Sequence, residues 1–172
     1  MKLGTKTIII LLILIVSICT DQITKKIAFE NLAGSPAISF LNNFFVLEYA
    51  ENTGGFLGMG AGISNDIRFW VFSVLVALFL GAMLVYLFFS KGFSMPQVFA
   101  LSAILGGGIG NLIDRFQNDG RVVDFMNMGI GPIRTGIFNV ADMFITFGAI
   151  FLFLLLMADG MKKKGRIPEP GE

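Results

Sequence analysis

Four apolar segments restrict the fold of this chain more than any other feature of its sequence. We predict that they span a membrane, at about residues 7–28, 68–90, 95–114 and 137–158. The second is uncharged over residues 69–90, and at ~1.5 Å per residue it crosses the roughly 30 Å hydrocarbon core of a bilayer. Only 15% of all residues are charged, compared with about 25% in soluble domains. The sequence therefore predicts one α-helical integral membrane domain over residues 1–172.

The first apolar segment is compatible with two interpretations. Its continuous apolar run, residues 7–20, has the length of a signal-peptide core. No small-x-small cleavage site follows it, however, and a helix that continues through residues 21–29 is long enough to cross a bilayer. We therefore interpret the segment as a membrane helix, in which Asp21 and Lys25 are spaced i, i+4 and share one face.

Positive charges predict the orientation, because cytoplasmic segments beside membrane spans are rich in Lys and Arg. The short segments on one side carry a high density of these residues: Lys2, Lys6, Lys91, Lys162, Lys163, Lys164 and Arg166. Both termini are therefore predicted to be cytoplasmic, with outer loops at about residues 30–66 and 114–136. This topology brings seven polar residues to the outer side or outer membrane edge: Asp21, Asn52, Asn111, Asp114, Asp124, Asn139 and Asp142.

The first outer loop contains signals for a small β-sheet, at about residues 37–62. Residues 37–40 and 44–49 have the pattern of short strands, and Asn42 and Asn43 between them are typical turn residues. A disordered loop is the alternative, but the aromatic content argues against it.

The remaining loop sequence is rich in turn residues. Residues 58–62 contain three glycines and are predicted to be flexible. In the second outer loop, turns at residues 117–121 and 131–132 flank a short apolar run that contains Asp124.

The residues that the chain lacks narrow its chemistry. It has no His and one cysteine, Cys19, which removes the usual general base, a Ser-His-Asp triad, thiolate metal clusters and internal disulfides. We therefore expect no metal and no cofactor. The net charge of +1 gives no reason to expect a nucleic acid partner. Catalysis is left to carboxylates, hydroxyls, Lys or Tyr.

The third apolar segment combines small and polar residues. Gly106 and Gly110 form a G-x-x-x-G pair, which predicts close packing against another helix. Asn111 and Asp114 follow on one face of the same helix. Asp114 beside Arg115 at the helix end is compatible with an interfacial ion pair or with a positioning role.

The fourth segment and the run before it suggest carboxylate chemistry. Asn139 and Asp142 are spaced i, i+3, and Asp142 is a candidate N-cap of the helix. Asp124 lies among apolar residues, where a carboxylate needs a partner or has a raised pKa. Two facing carboxylates share one proton, so that one is a general base toward water and the other a general acid. Spacing alone leaves two pairings open, Asp124 with Asp142 and Asp114 with Asp142.

Five motifs, in this order, resemble those of the lipoprotein signal peptidase (signal peptidase II) family. They are Asp21-Gln22 with Lys25, ENTGGFLG at 51–58, GGGIGNLIDR at 106–115, VVDF at 122–125 and FNVAD at 138–142. Each motif is weak alone, but the ordered set is highly specific and extends over nearly the whole chain. One departure is minor: the second glycine of NTGG stands where many members have alanine.

The resemblance implies an intramembrane aspartyl protease with Asp124 and Asp142 as its catalytic dyad. It would cut the signal peptide from a bacterial prolipoprotein just before the diacylglyceryl-modified cysteine. The implied supporting residues are Asp21, Lys25, Asn52, Gly54, Asn111, Asp114, Arg115 and Asn139. The resemblance also implies a bacterial inner-membrane location, an active site at the outer leaflet, contact with membrane lipid, and inhibition by globomycin-type compounds. We find no sign of an oligomer and expect a monomer.

Two other classes of function were weighed against the protease. A small ion-translocating protein would use Asp21, Asp114 and Asp142, but it predicts acidic residues at several depths, and the inner halves of the last three segments lack them. A non-catalytic scaffold built on the glycine-rich packing leaves the clustered polar residues unexplained.

Overall fold

The computed structural model describes residues 3–54 and 62–164. The helical elements are α1 (Leu3–Leu32), α2 (Asn65–Arg68), a π-helical segment (Phe69–Leu75), α3 (Val76–Phe89), α4 (Met95–Gln117) and α5 (Val140–Lys164). The strands are β1 (Ile38–Phe40), β2 (Phe45–Asn52), β3 (Val122–Ile130) and β4 (Ile133–Arg134). The first and last elements of the described chain are therefore helices, and the strands come from the two loops predicted to be outside.

Four helical stretches in the described residues are long and apolar enough to cross a membrane: Gly4–Leu32, Asn65–Phe89, Met95–Gln117 and Val140–Met161. The predicted membrane α-helical fold with four spans and a small β-sheet is thus confirmed. α1 continues through Asp21 and Lys25 without a break, as a full span requires. The π-helical segment was not predicted, because its residues are as apolar as the rest of the span and carry no breaker.

Glycines of α4 allow the neighbouring helices to approach closely. A Cβ at Gly106 would overlap the Ser17 side chain, and one at Gly110 would lie 2.6 Å from a carboxylate oxygen of Asp21. The predicted G-x-x-x-G contact is therefore confirmed, and its partner is α1. On another side of α4, a Cβ at Gly107 would overlap the backbone carbonyl oxygen of Ala141 in α5. The α4 helix consequently lies in contact with α1 and α5 just where their polar residues occur.

The four strands form one antiparallel sheet in the order β1-β2-β3-β4. The two strands predicted in the first outer loop are confirmed, as is the turn between them, where Asn42 and Asn43 have φ of 54° and 67°. The second outer loop supplies the other half of the sheet, with Gly131 in the predicted turn at φ 56°. We did not predict β3, because its first four residues are all buried and show no polar alternation.

The sheet is attached to the C-terminal end of α1. Ala28 and Leu32 form a small buried cluster with Phe125 of β3, and Leu47 and Val140 pack against it. β2 ends at Asn52, so the described part of the sheet stops short of the predicted limit at residue 62. Most of the predicted flexible piece, residues 58–61, lies outside the described residues.

The contact between α4 and α5 generates a stability prediction. Gly107→Ala should lower the free energy of unfolding by about 1–3 kcal/mol, because the new methyl group meets a backbone oxygen that cannot rotate away. Gly81→Ala is the matched control: this helical glycine is exposed, a Cβ there meets no atom within 4 Å, and it should be neutral or stabilise by up to about 1 kcal/mol. Denaturant unfolding in detergent micelles measures both. Equal stability of the two variants would contradict the packing argument.

Candidate active site

One cavity of about 280 Å³ is lined by residues from four of the five predicted motifs. Its walls come from the π-helical segment, α3, α4, β3 and the start of α5, with β2 at one end. Its polar lining consists mainly of Asn52, Asn111, Arg115, Asp124 and Asp142. Apolar side chains such as Phe72, Val76 and Ile145 form the remainder. The cavity therefore combines two carboxylates with amide and guanidinium donors on an apolar background.

Asp124 is held in β3 by two asparagine side chains. The strand pairs with β2 so that Asp124 lies opposite Ala50, two residues from Asn52. Asn52 Nδ2 donates to Asp124 Oδ2 at 3.0 Å, and Asn139 Nδ2 donates to Asp124 Oδ1 at 2.6 Å. Only 2% of Asp124 is exposed, so its carboxyl group is largely removed from water apart from the cavity side.

The environment of Asp124 favours its protonated form. Burial raises the pKa of Asp124 most, and the nearby negative charge of Asp142 raises it further, to about 7. The hydrogen bonds from Asn52 and Asn139 act in the opposite direction and lower the pKa, but by less. Asp124 therefore gains or loses its proton near neutral pH, which is the range that acid–base catalysis requires.

Asp142 lies in the first turn of α5, and the cap of this helix is Asn139. α5 begins at Val140, so the prediction that Asp142 is the N-cap was wrong. The backbone N–H of Asp142 donates to Asn139 Oδ1 at 2.9 Å, and the backbone N–H of Asn139 donates to Asp142 Oδ2 at 3.2 Å. This is the reciprocal arrangement of a capping box. It locks the Asp142 side chain, because one of its oxygens completes the cap.

Asn139 and Asn111 connect the two aspartates. Asn111 Nδ2 donates to the second oxygen of Asp142 at 2.8 Å. Asn139 Nδ2 contacts both Asn111 Oδ1, at 3.0 Å, and Asp124 Oδ1. Asn139 is fully buried, and both ends of its side-chain amide are used. The amide nitrogen binds Asp124, and the amide oxygen caps the helix that carries Asp142. The spacing of Asn139 and Asp142, which the sequence left unexplained, follows from this double role.

Asp114 belongs to a separate ion cluster beside the cavity. Lys25 Nζ lies 2.8 Å from Asp21 Oδ2 and 2.9 Å from Asp114 Oδ2. Gln22 Nε2 donates to Asp114 Oδ1 at 2.8 Å. The predicted i, i+4 pair of Asp21 and Lys25 is confirmed. The cation paired with Asp114 is also Lys25, so the interpretation of Asp114 and Arg115 as an ion pair was wrong. Gln22 was part of a quoted motif, but we did not predict it as a site residue.

Arg115 anchors the turn that carries Asn52. Its Nη2 donates to the carbonyl oxygen of Gly54 at 3.1 Å, and its guanidinium lies 5.9 Å from the ring centroid of Phe72. The backbone N–H of Gly54 in turn donates to Asn52 Oδ1 at 2.9 Å. Because the amide oxygen of Asn52 is used in this turn, its amide nitrogen faces Asp124. We did not predict Phe72 as a site residue, because nothing in the sequence distinguishes one aromatic residue from the others in an apolar span.

The described residues contain no group of three or more His, Cys, Asp or Glu side chains placed to hold a metal ion. The expectation that the protein uses no metal or cofactor remains a prediction.

Comparison with solved structures identifies the class of this protein. A bacterial membrane enzyme solved by the in meso method at 2.3 Å resolution matches with a TM-score of 0.72 and 25% identity, over 98% of this chain and 95% of the other. A second bacterial membrane enzyme, solved at 1.9 Å, matches with a TM-score of 0.68 over 91% of this chain. Fold and site together thus define an integral membrane protein of the membrane-enzyme type, with carboxylates and amides around one cavity.

The family follows from sequence comparison. The model of the signal peptidase II family matches residues 13–158. A lipoprotein signal peptidase of Caldanaerobacter subterraneus is 36% identical over 140 residues, 81% of this chain and 90% of the relative. One from Bacillus pumilus is 33% identical over 156 residues, 89% of this chain and 95% of the relative. The chain therefore belongs to the signal peptidase II family, as its motifs predicted. It is an aspartic endopeptidase that removes signal peptides from prolipoproteins.

The raised pKa of Asp124 predicts how stability depends on pH. Since the folded-state pKa, about 7, lies above the ordinary 3.8, the carboxyl stabilises the fold fully below about pH 4 and less as pH rises to 7. Asp124→Asn has no charge to bury, so its stability relative to wild type should increase between pH 4 and 8 by up to about 4 kcal/mol. Denaturant unfolding at both pH values measures this. Asp119→Asn, at an exposed turn, should follow wild type. A pH-independent difference for Asp124→Asn would contradict the prediction.

Proposed function

We propose that Asp124 and Asp142 are the catalytic dyad and that they hydrolyse the peptide bond just before the diacylglyceryl-modified cysteine of a prolipoprotein. The observation that supports this most is that both carboxylates line one cavity while Asn139 contacts both residues. The electrostatic effect of Asp142 on the pKa of Asp124 agrees with two carboxyl groups that share a proton.

In this mechanism Asp124 starts protonated and Asp142 starts ionised. Asp142 takes a proton from water, and the oxygen of that water attacks the carbonyl carbon of the scissile bond. Asp124 gives its proton to the carbonyl oxygen, so that a neutral tetrahedral diol forms. When the C–N bond breaks, Asp142 passes its proton to the leaving nitrogen, and Asp124 takes back a proton from the diol oxygen as the new carboxyl group forms.

The amide groups suit this exchange of protons. Asn52 and Asn139 donate to Asp124, and Asn111 donates to Asp142, so each aspartate keeps its orientation whether or not it is ionised. The apolar wall formed by Phe72, Val76 and Ile145 excludes bulk water and suits the apolar core of a signal peptide. The family's globomycin-type inhibitors would bind between the two aspartates.

The proposed reaction also sets the location of the site. We place both termini in the cytoplasm and the cavity at the outer leaflet of the bacterial inner membrane, where lipid-anchored substrate and water are both available. Asp142 supports this depth, since it lies in the first turn of α5, at the sheet end of a long apolar helix. We propose that the enzyme acts as a monomer in contact with membrane lipid.

The dyad assignment is tested by single substitutions. Asp124→Asn and Asp142→Asn should each lower the cleavage rate by at least about 10³-fold, because the general acid or general base is lost. Cleavage of a diacylglyceryl-modified prolipoprotein by purified enzyme in lipid bicelles measures the rate. Asp119→Asn, which changes an exposed aspartate, is the control and should keep the wild-type rate. A near wild-type rate in either dyad variant would show that the assignment is wrong.

The proposed protonation states predict the alkaline side of the pH–rate profile. The rate should fall above about pH 7, because Asp124 loses the proton that it gives to the carbonyl oxygen. Asp142→Asn lacks the negative charge that raises the pKa of Asp124, so the carboxyl infrared band of Asp124 should disappear at lower pH than in wild type. A difference spectrum against Asp124→Asn identifies the band. An unchanged titration in Asp142→Asn would refute the coupling between the two groups.

A further inference from the structure

We propose that Lys25, Asp21 and Asp114 form a positioning unit for the catalytic dyad. The unit fixes the two chain segments that carry Asp124 and Asp142. It also fixes the orientation of the Asn111 side-chain amide, which faces Asp142. This inference rests on the proposed function, since it takes Asp124 and Asp142 as the reacting groups. None of the three residues lines the cavity, so the unit acts through other residues.

The two acids of the unit hold equivalent backbone positions. Asp21 Oδ1 accepts a hydrogen bond from the backbone N–H of Ala141 at 2.8 Å. Asp114 Oδ2 accepts one from the backbone N–H of Val123 at 3.0 Å. Ala141 is the residue just before Asp142, and Val123 is the residue just before Asp124. Each acid therefore fixes the backbone one residue away from a dyad carboxylate.

Lys25 joins these two attachments. Its ammonium group lies between the acids, at 2.8 Å from Asp21 and 2.9 Å from Asp114, and only 4% of the residue is exposed. Without the cation, two buried carboxylates would repel each other, and the segments that they hold would move apart. Lys25 thus adds a link between the start of α5 and the start of β3 to the direct contact of Asn139 with Asp124.

The third hydrogen bond of Lys25 fixes the orientation of Asn111. Lys25 Nζ donates to Asn111 Oδ1 at 2.9 Å, and Asn139 Nδ2 donates to the same oxygen. Because the amide oxygen is bound on this side, the amide nitrogen points to Asp142. If the amide were reversed, its oxygen would face the Asp142 carboxylate, and no hydrogen bond would form between them.

Stability alone does not account for this unit. Burial of charges costs so much desolvation free energy that replacement of a whole buried ion cluster by neutral groups is often tolerated. If the cluster served stability only, any variant that still folds would also retain its activity. The attachment of both acids to the residues before the dyad gives the unit a role in geometry, and misplacement of reacting groups by about 1 Å costs about 10²-fold in rate.

The test uses Lys25→Met and, because that change leaves two unpaired acids, Lys25→Met/Asp114→Asn, which keeps the net charge of the cluster. Thermal unfolding in detergent shows whether each variant is folded, and cleavage kinetics separate kcat from KM. We expect at least one folded variant, with kcat lowered about 100-fold and KM within about 3-fold of wild type. Lys26→Met is the matched control: the Lys26 side chain is 77% exposed, and kcat should not change.

Two results would overturn the proposal. One is a wild-type kcat in a folded Lys25 variant, and the other is loss of folding in both variants, because the unit would then be structural only. The dyad is judged separately by Asp124→Asn and Asp142→Asn. If those variants are inactive while Lys25→Met keeps a wild-type kcat, the positioning unit is wrong and the dyad stands.

Discussion

The structure depends on the way in which buried charge is satisfied. Asp21, Lys25, Asp114 and Asp124 are each at most 4% exposed, although the helices around them turn apolar faces outward. An isolated buried charge costs more than the fold of a small domain could supply, so every such group has to find partners inside the protein. Those partners lie on α1, α4, β2, β3 and the start of α5, and the polar network therefore decides where these elements meet. The glycines of α4 permit the approach that the network needs.

Two kinds of carboxylate result from this constraint. Asp21 and Asp114 are paired with the ammonium group of Lys25, and each also accepts a hydrogen bond from a backbone N–H group. Asp124 and Asp142 instead accept hydrogen bonds from asparagine amides. The two pairs of aspartates therefore differ in their partners: a cation binds the first pair, and neutral amides bind the second.

Much of the fold was accessible from residue patterns. Span length and the absence of charge predicted four membrane helices, and the i, i+4 spacing predicted the pair of Asp21 and Lys25. The G-x-x-x-G pair predicted a close helix contact but not its partner helix. β3 was missed, because a strand buried on both faces has no alternation to detect. The π-helical segment left no mark in an apolar stretch, and the cap of α5 was assigned three residues too late.

The sequence by itself determined the membrane class, the set of polar residues and, through the order of its motifs, the family. These are properties of composition and spacing, so they can be determined without knowledge of any long-range contact. Only the tertiary structure decided that Lys25 is the partner of both Asp21 and Asp114, and that Asn139 contacts both Asp124 and Asp142. The reason is physical: the pKa of a carboxylate depends on its burial and on the charges and hydrogen-bond donors that long-range contacts bring near it. Here one donor to Asp124 comes from Asn52, which lies 72 residues away in the chain.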